Sequence, residues 1–577
     1  MKGYALCRPA EAGRRAHGRV AGNERGVVVI IVMILIATLT LLAVAANRNM
    51  VTDIGIASNH LGATQAFYAA EGGAEYAFNK LSQELMKLYP NTASITPPAM
   101  SGYAFQTASY IAAVGGNVQI PATGDFDGLT AIVQKYRITS RSTESKSSAV
   151  GIVTIEVSDQ LIPIFQFGIF YNNNLEVFPG ANMTFSGGAD GTKGRIHSNN
   201  NIYLGESGST RSLTINSKIT SAGDISRNRL DGGATDHNVY ISDGAGSTPA
   251  LNIDSSNTTW ATQSQTTWKG RVKTAANGIH SLNVPLPTGG QPIDILGQGD
   301  GSMYSKSGLK ILNGAATDKD GTAVELRYYD ATYKNADGSL KIDPGGTAAL
   351  NKNPLTTGSV YDYREQKTMN TYDLDMAKLQ GNAGAMAKLN DPPAGGDPGI
   401  LYISSTDATK SVRLQNGGSL PTNGLTVATN NPVYVQGDYN TANNPAAILG
   451  DAVTVLSSAW SNSYNSGTSI SSRTANATTV NAAFMVGNRN TSGTDYSGGA
   501  ENLIRFLEDW SGKNFNYGGS LVCLWQSQQA TKKWPGTGTV YNPPNRIWTY
   551  GIDLNKLPPG TPRVRYVQRL GWRQISN

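Results

Sequence analysis

RGVVVIIVMILIATLTLLAVAA, running from Arg25 to Ala46, carries no charge after Arg25 and only two hydroxyls, Thr38 and Thr40. As a helix, the part from Val27 to Ala46 is long enough to cross a bilayer core of roughly 30 Å. Beyond Ala46 the helical pattern continues but becomes two-sided, through Asn47, Arg48 and Asp53 to Leu88. The spacing predicts one helix of roughly 90 Å, apolar all round at its start and amphipathic afterwards. A secretion signal also begins with a basic segment and an apolar run. This run is too long for such a signal, and no small-x-small cleavage site closes it, although Ala43, Ala45 and Ala46 come near.

The order basic leader, glycine, apolar helix, amphipathic helix resembles a type IV prepilin. FYAAEGGAEYAFNKL, Phe67 to Leu81, is similar to the helix continuation of PilX-like minor pilins, in which F-x-A-A-E-x-G follows the membrane segment. The resemblance spans residues 1–90. It implies that a prepilin peptidase cuts between Gly26 and Val27 and that the new amine on Val27 is methylated. A glycine there suits an extended backbone entering a membrane protease. It also implies that the helix bearing Val27, Ile31, Leu35, Leu39, Leu42 and Ala46 lies first in the inner membrane, with the N-terminus cytoplasmic and the head outside. That helix then passes to the core of a filament at the cell surface.

The implied partners are other pilins or pseudopilins, the inner-membrane assembly machinery and the peptidase, with no cofactor. Most major pilins carry Glu at the fifth mature position, where it pairs with a neighbour's terminal amine; here that place holds Ile31. PilX-like proteins and the K-type minor pseudopilin often lack it too. Such a subunit escapes the cost of burying a carboxylate and loses the register pairing, which suggests a priming or tip position.

The 577 residues, 39% apolar, can bury substantial cores in two to four domains. With 65 glycines and only 15% charged residues, the composition describes a turn-rich, β-rich exported protein better than a cytosolic enzyme. The net charge of +6 is concentrated at the start: Lys2, Arg8, Arg14, Arg15, Arg19 and Arg25 against Glu11 and Glu24 leave little for the rest. That is a cytoplasmic leader, and no basic patch with interleaved aromatics points to nucleic acid. Cys7 falls in the leader, so Cys523 stands alone in the mature chain and reads as a small buried strand residue.

Pro90, Pro97 and Pro98 end the long helix. From Thr130 to Val157 the period becomes two, with RSTESK between two strands, which predicts a hairpin in a pilin-like sheet over residues 91–165 packed on the helix. From 166 to 256 short apolar pairs recur between Gly and Asn: Leu175/Val177, Met183/Phe185, Ile202/Leu204, Leu213/Ile215. That texture is a β-solenoid or stacked sandwich, of which a short parallel solenoid is favoured. Gly424 to Asn440 has the same texture and reads as a further rung after an insertion over 257–400. The insertion holds a hairpin-like stretch from Glu325 to Pro344 and a short helix from Tyr372 to Leu389. In the C-terminal region, 401–577, GGAENLIRFLEDWSG (Gly498 to Gly512) reads as a helix, with Leu503, Phe506, Leu507 and Trp510 at helical spacing. The fold class is therefore α+β: a long pilin-type helix, a pilin-like sheet and a large mainly-β region.

Catalytic chemistry finds little support. His17, His60, His197, His237 and His280 are scattered without a second His or Cys at ligand spacing. Asp318-Lys319-Asp320-Gly321 with Glu325 is only a fragment of a calcium loop and reads better as a turn, as does Asn335 to Gly338. Glu501, Arg505 and Asp509 would form i, i+4 ion pairs on the C-terminal helix. Trp525, Trp534, Trp548, Tyr550 and Trp572 could stack on a glycan, against the simpler reading as packing. The expectation is a non-enzymatic minor pilin-like protein that helps assemble or cap a type IV pilus or related filament, most easily at its tip. A displayed or membrane-anchored adhesin with a glycan or tip partner is the alternative, and a surface polysaccharide-active enzyme the less favoured one.

Overall fold

The computed structural model describes residues 24–187, 193–206, 208–328, 334–339, 341–342, 352–493 and 495–575. Most of the leader, with Cys7 and His17, and much of the hairpin-like stretch 325–344 lie outside them. Helix α1 (Glu24–Leu85) is a single 62-residue helix. Its first half stands clear of the rest. Its second half buries Ala66, Ala70, Ala74, Ala77, Leu81 and Leu85, residues three to four apart that form one stripe.

That stripe packs on an antiparallel sheet of β1 (Tyr103–Phe105), β2 (Ile111–Pro121), β3 (Thr130–Glu144) and β4 (Val150–Pro163). The β3–β4 hairpin turns at Ser145 to Ala149, and the inward positions Ile138, Val153, Ile155 and Val157 complete the core with the helix. At the hairpin end the half-exposed outward positions are Thr139, Arg141, Thr143, Thr154 and Glu156, with Val150 and Ile152 the apolar exceptions, so the alternation there reflects a sheet with one covered face.

After β4 the chain enters a parallel β-solenoid. One wall runs through β5 (Phe167–Tyr171), β6 (Arg195–Ser198), β7 (Ile219–Ser221) and β8 (Val272–Lys273). It then includes β9 (Leu309–Leu312), β10 (Ile400–Ser404), β11 (Leu425–Ala428), β12 (Ala446–Gly450), β13 (Ala483–Val486) and β14 (Leu521–Cys523). Their spatial order is β8-β7-β6-β5-β14-β13-β12-β11-β10-β9, with antiparallel Ala315–Asp318 closing the far end. The stack is thus circularly permuted. The chain starts at β5 in mid-stack, climbs to β8, crosses over through residues 274–308, restarts at the opposite end with β9, and returns until β14 lies beside β5. The same seam recurs on a second wall, where Met183–Ser186 pairs with Asn545–Thr549.

Wall strands such as FGIFY, ILYIS and AAILG are apolar throughout because both faces are covered: one by the solenoid interior, the other by the crossover and the end of the pilin-type sheet. One end is plugged by Trp260–Thr266, with Trp260 and Trp268 buried; the other by the β9 hairpin and the short helices Met376–Gly381 and Ala383–Leu389. The last strand, β15 (Arg563–Gln574), leaves the solenoid and pairs antiparallel with β4. The solenoid is therefore inserted between two neighbouring strands of one sheet.

Three expectations need correcting. Residues 257–400 are not an insertion outside the solenoid, since β8 and β9 are wall strands within it and Lys367–Asp375 pairs in parallel with Lys410–Gln415. Gly498 to Gly512 is not a helix: Gly498 and Gly499 take positive φ of 98° and 63°, Ala500–Asn502 makes one 3-10 turn, and Ile504–Phe506 is a strand paired with Val453 to Val455. The apolar spacing there comes from a rung that turns a corner, since Ile504 and Phe506 point inward at period two, with Leu507 and Trp510 buried past the turn. The helix expected from Tyr372 begins only at Met376, because Lys367–Asp375 is a strand locked to its neighbour Lys410–Gln415. It then breaks at Asn382, whose side chain caps the next helix.

Candidate assembly helix and its junction with the head

From Gly26 to Leu61 the apolar side chains of α1 have no protein partner: Val27, Ile31, Leu35, Leu39 and Leu42 are 54 to 65% exposed. The window of highest mean hydropathy, 3.2, is wholly unburied. Thr38 and Thr40 return their hydroxyls to the helix's own carbonyls, at 2.9 Å to Ile34 and 3.0 Å to Ala37, so no polar group in the run needs water. This is the one helix among the described residues long and apolar enough to cross a membrane. Gly26 and Val27 lie in its first turns, exposed, with open space around the glycine. Ile31 and Ala46 sit on the same uncovered stretch.

Docking begins at Gly62 and depends on small residues. A Cβ at Gly62 would run into Ser147, one at Gly73 into Ser140 and Phe105, and one at Gly151 on β4 into the backbone of Ala66. The close approach lets sheet side chains bond helix carbonyls directly: Ser142 Oγ donates to Ala66 O and Tyr110 Oη to Gly73 O, both at 2.5 Å. β15 adds a second grip. Arg569 forks onto Glu75 at 2.6 and 2.8 Å and lies over the Phe78 ring, and Trp572 meets Phe67 edge-on at 6.1 Å.

Where the two tethers of the head meet the sheet, Arg565 Nε lies 2.9 Å from Asp159 Oδ1, both side chains almost fully buried. The contact is an ion pair off the hydrogen-bond axis. Burial dominates its electrostatics: it pushes the Asp159 carboxyl up to about 6 despite the neighbouring guanidinium, and pulls Arg565 down.

The residues considered for chemistry are dispersed. His197 is a core ring held by Thr220 and Asn199, its pKa lowered by burial to about 3. Asp318 accepts the amides of Asp320 and Thr322 and the ammonium of Lys388, as a turn does, and no cluster of three metal-ligating side chains occurs among the described residues. Cys523 is buried in β14 with its thiol pushed up to about 12. Arg505 pairs with Glu365 at 2.8 Å, across rungs, rather than with Glu501 or Asp509. Trp525, Trp548 and Tyr550 are packed in the body, Trp534 is partly buried edge-on to Tyr496, and Trp572 lies on the helix-facing sheet edge, so the five aromatics form no common platform. The return of β15 to the sheet has no signal in the sequence beyond the alternation RVRYVQ, which fits a strand but names no partner.

A long helix, bare in its first half and docked on an antiparallel sheet in its second, is the architecture of a pilin-like subunit. In agreement, residues 25–75 match the family model described as PilX N-terminal, which supports a minor type IV pilin-like protein with a structural role. Among solved structures, the competence-associated pilin ComZ from Thermus thermophilus is similar at 9% identity and a TM-score of 0.25, over 89% of this chain and 98% of that one. No curated protein matches.

Proposed function

We propose that this chain is a minor pilin, cut by a prepilin peptidase between Gly26 and Val27 and assembled through Val27 to Leu61 into the core of a type IV pilus or related filament, at low copy and near the tip. The observation that carries this is the abrupt change along α1: every apolar side chain is bare up to Leu61, and the stripe facing the sheet is covered from Gly62 onward. A bare helical surface of that length has two stable environments, lipid and a bundle of similar helices. Exchange from one to the other is the assembly step. Because α1 is already helical at Gly26, the peptidase has to unwind its first turns to reach the bond.

Ile31 brings no carboxylate to the core, so the subunit needs no partner amine below it. The solenoid is bulky beside a shaft built from repeating subunits, which favours the end of the filament. Immunogold labelling of sheared filaments is expected to place the head at filament ends; label spaced regularly along the shaft contradicts the tip position.

A further inference from the structure

Beneath the junction, between the end of α1, the crossover and the start of β15, lies a cavity of about 180 Å³. Its walls are mixed: Leu88, Leu161, Leu286 and Ile295 form an apolar side, and charged side chains the rest. Two cations open onto it, the half-buried Lys306 and the exposed Arg563, and neither makes a hydrogen bond or ion pair among the described residues. The lining acids take their hydrogen bonds from neutral donors and keep their charge: Asp294 accepts the Gln291 amide at 2.7 Å and Asp300 the Tyr89 hydroxyl at 3.1 Å. The third cation, Arg565, is held by Asp159. Burial, and after it Arg563, disfavours the charge on Lys306, and Asp397 and Asp300 offset them in part. An anion seated between the two cations would relieve that repulsion.

We propose that this cavity binds the free carboxylate of an apolar residue, Lys306 and Arg563 taking the anion and the leucine and isoleucine walls taking the side chain. The volume is close to that of a cavity of about 150 Å³ that holds benzene, so one Leu-sized group fills it. Asp294 and Asp300 on the wall favour a monoanion over a phosphate dianion. Two sources share this chemistry, the C-terminal residue of another chain and a small free carboxylic acid. The site is independent of the filament reading.

The test is ligand-observed NMR titration of the full chain in detergent micelles with N-acetyl-leucine, its amide, and the peptide acetyl-Ala-Ala-Leu. The acid is expected to bind at least tenfold more tightly than the amide, and Lys306→Met or Arg563→Gln to weaken the acid at least tenfold while leaving the amide unchanged. Equal binding of acid and amide, no binding of either, or indifference to both substitutions overturns the proposal. The acid–amide comparison needs no variant, so a folding defect cannot mask the result. A tripeptide much tighter than N-acetyl-leucine assigns the site to a chain terminus, and equal affinity to a small acid.

Discussion

Glu508 illustrates how single residues set the chemistry of the head. It is fully buried, accepts the Ser457 amide at 2.6 Å and hydroxyl at 2.7 Å, and is nevertheless pushed up to about 7 by burial. Glu501, bonded by Tyr496 and the Phe178 amide, is raised to about 7 for the same reason, and Asp159 to about 6. In each case the folded state holds its proton to higher pH than the unfolded chain does. The stabilisation is complete below about pH 4 and is lost as pH rises through 6 to 7. The urea midpoint of the full chain is therefore expected to fall between pH 4.5 and 7.5, and Glu508→Gln to flatten that slope; a midpoint that climbs over this range contradicts the assignment. Two Arg–Glu pairs separate burial from exposure. Glu365→Ala strands the buried Arg505 and should cost about 3–5 kcal/mol in urea unfolding, whereas Glu75→Ala at the exposed Arg569 pair should cost at most about 1 kcal/mol.

At the scale of elements, the docked half of α1 was readable because helix and sheet each show their own period. Ala66, Ala70, Ala74 and Ala77 recur every three to four residues, and Val153, Ile155 and Val157 fall on alternate positions. Solenoid texture was readable from the Gly and Asn corners, and Gly424 to Asn440 does contribute rung strands, Leu425–Ala428 and Val433–Gln436. The segment around Leu503 to Trp510 misled because a strand followed by a corner can place apolar residues at helical spacing, and short runs do not resolve the two. Gly151 supplies the sharpest test of the helix–sheet contact. Any Cβ there meets the Ala66 carbonyl, so Gly151→Val should force α1 off the sheet and expose the 86–102 connection to limited proteolysis. An unchanged cleavage pattern would mean that the packing is looser than described.

For the whole molecule, the permuted stack has a mechanical meaning. The head is attached through β4 and β15, neighbouring strands that leave the sheet at the same end, so a pull on the head loads two strands together and neither end of the solenoid is a free terminus. This topology was not legible in the sequence, because strand order depends on which rung stacks on which, and β5 and β14 are too short and too uniformly apolar to specify each other by pattern. Truncation before Arg563 removes one tether, the Asp159 pair and the Glu75 grip at once. The truncated chain is expected to keep solenoid circular dichroism yet lose protection of the Phe67 to Leu85 amides to hydrogen exchange; full protection would show that β15 does not hold the helix. The central claim, that Val27 begins the mature subunit of a filament, is tested most directly by mass spectrometry of the protein's N-terminus from cells with and without prepilin peptidase. A methylated Val27 is expected only where the peptidase is present. An intact leader in both, or a cut after Ala46, would contradict it.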